Sequence, residues 1–233
     1  MLKAYKKSFV HSYAFGAFAV YELLSARPEN IISVYVRTNY TDIEKLSKTC
    51  AEKNIELLLN DRIFDRVIQK ENSLVFAVFS KYNNILNKHS PHICLVNPSD
   101  MGNLGCIIRT VAAFGVGNIA VVTPAADIFD PRTIRASMGA IFRVNIQLFD
   151  SFEKYAGLFS KRNYYPFKTD GICELGTDKI DINNPYTLIF GNESAGLPAS
   201  FAEIGTSVRI PQTNMVDSLN LSVSVGIALY ELS

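Results

Sequence analysis

The sequence lacks any apolar run of the roughly 18 to 20 residues that a membrane-spanning helix needs. Its opening stretch, MLKAYKK, also lacks the apolar core of a secretory signal. Both absences predict a cytoplasmic protein without a membrane partner. With 233 residues, of which 48% are hydrophobic, the chain can bury one large core or two smaller ones.

Cysteine and histidine are scarce, and their spacing argues against a metal site. The four cysteines are too far apart for a zinc knuckle or a CxxC redox pair, so we interpret them as reduced core thiols. His89 and His92 have HxxH spacing, but Pro91 between them disfavours a shared helical face. We therefore expect no metal.

Net charge is only +1, so the charge balance alone does not indicate a nucleic-acid partner. Lysines cluster at positions 3, 6 and 7, and arginines recur over residues 132–143, but each group, judged alone, fits an ordinary solvated surface. The chain also lacks a GxGxxG fingerprint and a Walker A sequence. These absences argue against dinucleotide-dependent dehydrogenases and P-loop nucleotidases.

The first 84 residues alternate between helical and strand-like patterns. Thr41 is expected to open a helix, with Glu44 in capping-box spacing. The other predicted elements are helices over residues 12–26 and 61–69 and strands over residues 31–36, 55–59 and 74–79. We therefore predict a small α/β domain over residues 1–84, followed by a polar linker over residues 85–92.

Residues 93–233 carry longer and more apolar strands, with helices between them. The predicted helices include residues 104–114 and 219–232, and the predicted strands are residues 93–96, 118–122, 144–148, 187–190 and 207–210. Near-continuous apolar strands separated by helices predict a mainly parallel sheet with helices on both faces. Ligands of such sheets bind in loops beyond the carboxyl ends of the strands.

Three predicted strand ends are followed by loops rich in glycine and small polar residues. Their sequences are NPSDMGNLG after Val96, GNESAGLP after Phe190 and PQTNMVDSLN after Ile210. Glycines allow a ligand to approach the backbone closely, and Asn, Glu and Ser supply directional hydrogen bonds. Arg109 follows the first loop among apolar helix residues, where a buried guanidinium would need a polar partner. A structural ion pair would also satisfy it.

These loops resemble the SpoU (TrmH-like) branch of the SPOUT RNA 2′-O-ribose methyltransferases. The first family motif matches Asn103, Gly105, Arg109 and Thr110; the second matches IFGNESAGL at residues 189–197; and the third matches IP at 210–211 with SLNLSV at 218–223. The resemblance covers about residues 91–233. Residues 1–84 are similar to the ribosomal-protein-like RNA-binding domain that often precedes this catalytic domain.

The resemblance implies a trefoil knot in the C-terminal domain and a homodimer with the active site at the subunit interface. It implies S-adenosylmethionine as cofactor and a ribose 2′-hydroxyl of RNA as methyl acceptor. The attached N-terminal domain favours ribosomal RNA. Methylation of tRNA and a catalytically inactive RNA-binding protein of the same fold stay as alternatives.

The resemblance also assigns roles to individual residues. Those expected to hold the cofactor are Phe190, Gly191, Asn192, Ile210 and Leu219. Those expected to be catalytic are Arg109, Asn103, Glu193, Ser218 and Asn220. Arg109 is expected to position the target phosphate and ribose, with acceptance of the 2′-hydroxyl proton in a shielded site as a further role. Glu193 is expected either to fix its loop or to pair with Arg109. Ser218 has helix capping as its alternative role.

Overall fold

In a computed structural model, which describes residues 2–67, 73–176 and 179–233, short apolar runs form strands and the segments between them form helices. The helices are α1 (Ala17–Ala26), α2 (Ile43–Glu52), α3 (Asp61–Val67), α4 (Met101–Ala113), α5 (Pro131–Ala136), α6 (Phe152–Leu158) and α7 (Leu221–Glu231). The strands are β1 (His11–Phe15), β2 (Ile31–Val36), β3 (Leu57–Leu59), β4 (Val75–Ser80), β5 (His92–Val96), β6 (Asn118–Val122), β7 (Asn145–Phe149), β8 (Asn163–Pro166), β9 (Cys173–Glu174), β10 (Tyr186–Phe190) and β11 (Val208–Arg209).

The chain forms two units, and their division differs from the predicted domains 1–84 and 93–233. The first unit contains Met1–Tyr82 together with Asp127–Arg143, and the second contains Asn83–Ala126 and Val144–Ser233. The segment Asp127–Arg143 joins the first unit because its side chains and backbone pack there. The buried hydroxyl of Ser12 donates a hydrogen bond to the carbonyl of Phe129 at 2.5 Å, and Phe79 packs against the ring of Phe129.

The first unit contains a mixed four-stranded sheet in the order β1-β4-β2-β3. Strand β4 is antiparallel to β1 and β2, whereas β2 and β3 are parallel. The helix predicted over residues 12–26 was wrong in its first part, which forms β1 instead. Ser12, Tyr13 and Ala14 are all buried, so the strand shows no alternation of polar and apolar residues. Gly16, at φ +88°, separates β1 from α1.

The predicted start of α2 was also wrong. The helix has Asp42 as its N-cap residue, no side chain caps it, and Thr41 lies outside it. The helix predicted over residues 61–69 is found as α3; positions 68 and 69 lie outside the described residues. The strands predicted at 31–36, 55–59 and 74–79 correspond to β2, β3 and β4.

The second unit contains a five-stranded parallel sheet in the order β7-β6-β5-β10-β8. Every residue of β5, β6 and β10 is buried. Because successive side chains of a strand point to opposite faces, both faces of the sheet centre are covered. The predicted α/β fold with a mainly parallel sheet is therefore confirmed. Strand β8 was not predicted; it is a short edge strand that ends in Pro166, as edge strands tolerate.

Residues 85–92, predicted as a linker, pack against the second unit. Leu86 is buried, and its N–H donates to the side chain of Gln147 at 3.1 Å. The N–H of Asn87 donates to the side chain of Asn118 at 3.0 Å. The polar side chains of the surrounding structure therefore satisfy this backbone, and His92 already belongs to β5.

The four cysteines are free, but only two of them are core residues. Cys50 and Cys94 are buried, Cys173 is partly buried, and Cys106 is exposed on α4. Burial raises the pKa of the Cys94 thiol, as expected for an apolar site. Within the described ranges, no group of three or more His, Cys, Asp or Glu could hold a metal ion. No helix of the described residues combines the length and apolarity needed to cross a membrane.

Candidate active site

Strand ends of the parallel sheet bring two of the three predicted motif loops together, and the third follows β11, which pairs with β9 outside this sheet. Strands β5, β10 and β8 are adjacent and parallel, so their carboxyl ends lie at one edge of the sheet. The loops after β5, β10 and β8 begin at Asn97, Gly191 and Phe167. The candidate site lies at this edge, within the second unit.

The carboxylate of Glu193 joins the loop after β10 to the loop after β5. One oxygen accepts hydrogen bonds from the N–H and the hydroxyl of Ser99 at 3.0 and 2.8 Å. The other accepts from the N–H of Asp100 at 3.1 Å and from the side-chain amide of Asn103 at 3.3 Å. Glu193 therefore fixes the loop, which is the first of its two predicted roles.

These hydrogen bonds also determine the charge of Glu193. Burial alone raises the pKa of this carboxyl, but the hydrogen bonds from the N–H and hydroxyl of Ser99 and the N–H of Asp100 outweigh it. Together they hold the pKa of Glu193 below its ordinary value of 4.5. Glu193 is therefore ionised at neutral pH, and donors already surround its oxygens.

A line of hydrogen bonds connects the start of α7 to Glu193. The side-chain oxygen of Asn220 accepts from the N–H of Ser222 at 2.8 Å, so Asn220 is the N-cap residue of α7. The amide nitrogen of Asn220 donates to the side-chain oxygen of Asn103 at 3.1 Å, and Asn103 in turn donates to Glu193. Ser218 does not cap this helix, which begins at Leu221 rather than near residue 219 as predicted.

The loop after β10 has a tight shape that depends on glycine. Gly196 has a φ of +67°, and a Cβ on Gly191 would lie 2.2 Å from the carbonyl carbon of Gly196. The side chain of Asn192 accepts from the N–H groups of Ser194 and Ala195 at 2.9 and 3.1 Å. Its amide also donates to the carbonyl of Asn97 at 2.8 Å. The side chain of Asn192 therefore stabilises the loop itself.

A cavity of about 350 Å³ lies beside this loop, which is within the range of roughly 300 to 1,000 Å³ for small-molecule sites. All residues predicted to hold the cofactor line it, namely Phe190, Gly191, Asn192, Ile210 and Leu219. Glu193 and Ser218 also line it, whereas Asn103, Arg109 and Asn220 do not. Its apolar side chains suit a planar base, and its tight glycine loop brings backbone polar groups against a ligand. The residues present therefore fit a nucleoside cofactor such as S-adenosylmethionine.

The comparison with protein families identifies the part of the chain that contains this site. The SpoU rRNA methylase family matches residues 90–230 of this chain, which is more than half of its length. The chain belongs to the SpoU family. The resemblance seen in the motif loops is thereby confirmed.

Individual relatives of this SpoU-family chain include named ribosomal RNA enzymes. A 23S rRNA (adenosine-2′-O)-methyltransferase of Streptomyces azureus is 30% identical over 86% of this chain and 78% of that protein. An enzyme with the same description from Streptomyces laurentii is 39% identical over 56% of this chain. That match covers only 49% of the Streptomyces laurentii protein, so the chain spans about half the length of that relative.

Among solved structures, the chain is similar to an AdoMet-bound rRNA methyltransferase of Sinorhizobium meliloti. The two are 27% identical with a TM-score of 0.79, and the match covers 96% of this chain and 87% of that chain. The similarity therefore extends over both units of the SpoU-family chain.

Arg109 lies on the exposed face of α4, contrary to the expectation that apolar neighbours would bury it. Leu104, Ile107, Ile108 and Val111 are buried, whereas Arg109 faces outward, because helical spacing puts it on the opposite side. It forms no ion pair or hydrogen bond with any residue that the structure describes, so its predicted pairing with Glu193 is not present. Its guanidinium is available to an external anion.

Two groups in the SpoU-family site were missed at the sequence level. Phe167, Lys168, Thr169 and Asp170 follow the unpredicted strand β8 and line the cavity. The polar run KTDG after the apolar run YYPF is a signal that could have found them. Ser99 was given no individual role within the first loop, and only the folded structure shows that it donates to Glu193.

Proposed function

We propose that this chain transfers a methyl group from S-adenosylmethionine to a ribose 2′-hydroxyl of RNA. Family membership supports the class of reaction, and the names of its relatives support the RNA acceptor. The observation that carries this proposal is a single line of hydrogen bonds through Glu193, Asn103 and Asn220, one residue from each motif, which starts at Glu193 in the cavity wall.

In this proposal the cavity holds the cofactor, and the exposed face of α4 binds the RNA. The cofactor, when bound, supplies a methyl group on a positively charged sulfur. Phe190, Ile210 and Leu219 hold its adenosine part by apolar contact and through their backbone groups. Because a 2′-hydroxyl is a weak nucleophile at neutral pH, the protein must align it and assist removal of its proton.

Arg109 supplies the anion-binding group for the RNA. Its exposed guanidinium binds the phosphate beside the target ribose, since a guanidinium forms paired hydrogen bonds with phosphate oxygens. Glu193 does not act as the base, because donors fill its oxygens and its pKa is lowered. Asn103 and Asn220 orient the nucleotide from the edge of the cavity, and Ser218 contacts the substrate or the cofactor there.

The RNA substrate that we propose is ribosomal RNA. The match to the Streptomyces azureus 23S rRNA enzyme covers 86% of this chain and therefore includes residues of both units. This coverage is consistent with an RNA-binding role for the first unit. A relative from Synechocystis that is named a tRNA/rRNA methyltransferase keeps tRNA as the second candidate. Either substrate is consistent with a cytoplasmic location. Mapping 2′-O-methyl sites in RNA from cells with and without the gene distinguishes the two candidates.

We also propose that the second unit contains the trefoil knot of its family. The loop after β10 and the loop before α7 both line the cavity, and α7 packs against α4. A knot that threads the end of the chain through the first of these loops would hold both walls of the cavity together. The proposed role of this arrangement is to shape the cofactor site.

A homodimer is the assembly that we propose for this enzyme. Val223, Ile227 and Tyr230 lie on one side of α7, spaced four and three residues apart, and they are 47%, 37% and 73% exposed. An apolar stripe of this kind on a helix is best covered by another surface. A second subunit on this stripe would lie close to α4, the helix that carries Arg109, and would complete the RNA site.

A methylation assay with matched variants tests the reaction. Wild type, Arg109→Ala and Arg109→Lys are incubated with RNA and radiolabelled S-adenosylmethionine, and cofactor binding is measured separately by calorimetry. Because Arg109 is exposed and does not line the cavity, the alanine variant should bind cofactor normally. It should lose roughly 100-fold or more of the methylation rate, since misplacement of the substrate has costs of this size. Wild type that binds cofactor and methylates no cellular RNA would instead support an inactive RNA-binding protein.

A further inference from the structure

The cavity wall carries one positive charge. Among the residues that line the cavity, all of them within the described ranges, Lys168 is the single cation. Its side chain is 18% exposed, and its ammonium lies 3.2 Å from a carboxylate oxygen of Asp170, which is 73% exposed. Lys168 therefore lies close to the wall, while most of Asp170 remains in solvent.

The backbone around Lys168 is fixed on both sides. Its N–H donates to the carbonyl of Val208 at 2.9 Å, and the preceding N–H of Phe167 donates to Ile189 at 2.8 Å. Gly171 approaches Val208 so closely that a Cβ there would lie 2.5 Å from the carbonyl carbon. The side chain of Lys168 thus starts from a defined position at the end of β8, and Asp170 directs its ammonium.

The charged groups of the proposed cofactor can be compared with those of the cavity wall. S-adenosylmethionine has one anionic group, the α-carboxylate of its amino acid end, and two cationic groups. The wall has three acidic side chains, Asp170, Glu193 and Asp217, and none of them can bind that carboxylate. Building on the proposed function, we propose that Lys168 binds the α-carboxylate of the cofactor and makes the site selective for ligands that carry the complete amino acid end.

Two ligands that differ only at the amino acid end test this assignment. S-adenosylhomocysteine retains the α-carboxylate and α-amino group, whereas 5′-methylthioadenosine retains the adenosine and sulfur but lacks both. Binding of each ligand to the full chain is measured by calorimetry for wild type, Lys168→Met and Lys168→Arg. Lys154→Met is the matched control, because Lys154, on α6, pairs with Asp150 just before that helix and does not line the cavity.

Selective loss is the expected result. Lys168→Met should weaken S-adenosylhomocysteine binding about tenfold, as expected for one charged hydrogen bond, and leave 5′-methylthioadenosine binding unchanged. Lys168→Arg should restore much of the affinity, and Lys154→Met should bind both ligands like wild type. Equal weakening of both ligands, or no change in either, overturns the role of Lys168 and leaves the proposed function in place. Failure of wild type to bind either ligand overturns the proposed function and this assignment together.

Discussion

Replacement of Glu193 by glutamine tests whether its partly buried carboxylate holds the motif loops together. The substitution keeps the size of the side chain and removes its charge. Glu193 accepts from the N–H and hydroxyl of Ser99, from the N–H of Asp100 and from the amide of Asn103. The single oxygen of a glutamine can still accept the hydrogen bonds made to one of the two carboxylate oxygens. Its NH₂ group then faces the donors that bind the other carboxylate oxygen, and two donors form no hydrogen bond.

The expected loss follows from these hydrogen bonds. Each hydrogen bond to a charged group contributes about 1.5 to 3 kcal/mol, against about 0.5 to 1.5 kcal/mol for a neutral one. Glu193 is partly exposed, so water can replace part of what is lost. We therefore expect Glu193→Gln to lower the free energy of unfolding by about 1 to 2 kcal/mol at pH 7.

The effect should depend on pH in a defined direction. The pKa of Glu193 is lower in the folded chain than its ordinary value of 4.5, so its stabilisation is complete above that value. As pH falls through the folded pKa, the wild-type carboxyl takes up a proton and comes to resemble the glutamine variant. The difference between wild type and variant should therefore be largest above about pH 5 and should shrink below pH 4.5.

Urea denaturation followed by circular dichroism measures this difference at each pH, since the chain has no tryptophan for fluorescence. Glu203→Gln is the control, because Glu203 is exposed and its side chain makes no hydrogen bond within the described residues. Its stability difference should stay near zero at every pH. A Glu193→Gln difference that is absent at pH 7, or that stays constant down to pH 3, would refute the role given to the carboxylate.

Three other substitutions test separate features. Gly191→Ala places a Cβ 2.2 Å from the backbone of the same loop and should abolish S-adenosylhomocysteine binding in calorimetry, whereas Gly157→Ala, which meets no atom within 4 Å, should not. Burial and the charge of Arg162 lower the pKa of His92 from 6.5 to about 4. As the pH drops from 6.5 towards 4, His92 is therefore protonated in the unfolded chain before it is protonated in the folded chain. The free energy of unfolding should fall over this pH range. The slope of the free energy of unfolding against pH should approach about 1.4 kcal/mol per pH unit in wild type. It should be flatter in His92→Gln, and denaturation followed by circular dichroism at each pH measures it. Ile227→Glu should convert the proposed dimer to monomers in sedimentation, and a monomeric, active wild type would contradict the dimer.

The parallel sheet was predictable because its central strands are apolar throughout. Residues 118–122 were predicted as a strand with the bounds that β6 has, and β5 and β10 differ by one residue from their predicted starts. A strand buried on both faces is recognised from an apolar run bounded by turn residues. The same logic failed for β1, where Ser12 to Ala14 are equally buried but continue into the apolar helix α1, so no boundary was visible until Gly16.

The candidate site was predictable only where a residue has a local signature. Gly191 and Gly196 mark a loop that approaches its neighbours closely, and this can be read from their spacing and from the preceding strand. The position of Arg109 could not be read in the same way, because exposure depends on which face of α4 the sheet covers. Lys168 was missed because the strand that precedes it, β8, has only four residues.

The donor and acceptor roles in the line of hydrogen bonds at the site follow from the negative charge of Glu193. Since Glu193 can only accept, Asn103 must present its NH₂ group to it, which leaves the Asn103 oxygen facing Asn220. Asn220 must then donate to that oxygen, and its own oxygen is left to accept from the start of α7.

Each amide in this line thus keeps an N–H free to donate and has its oxygen already occupied, and Arg109 adds further donors. These free donors suit an anion such as an RNA phosphate, and none of them can accept the 2′-hydroxyl proton. In the proposed reaction, the acceptor of the 2′-hydroxyl proton must therefore come from outside this line, and the part that the line and Arg109 play is to hold the phosphate and the ribose in position for attack.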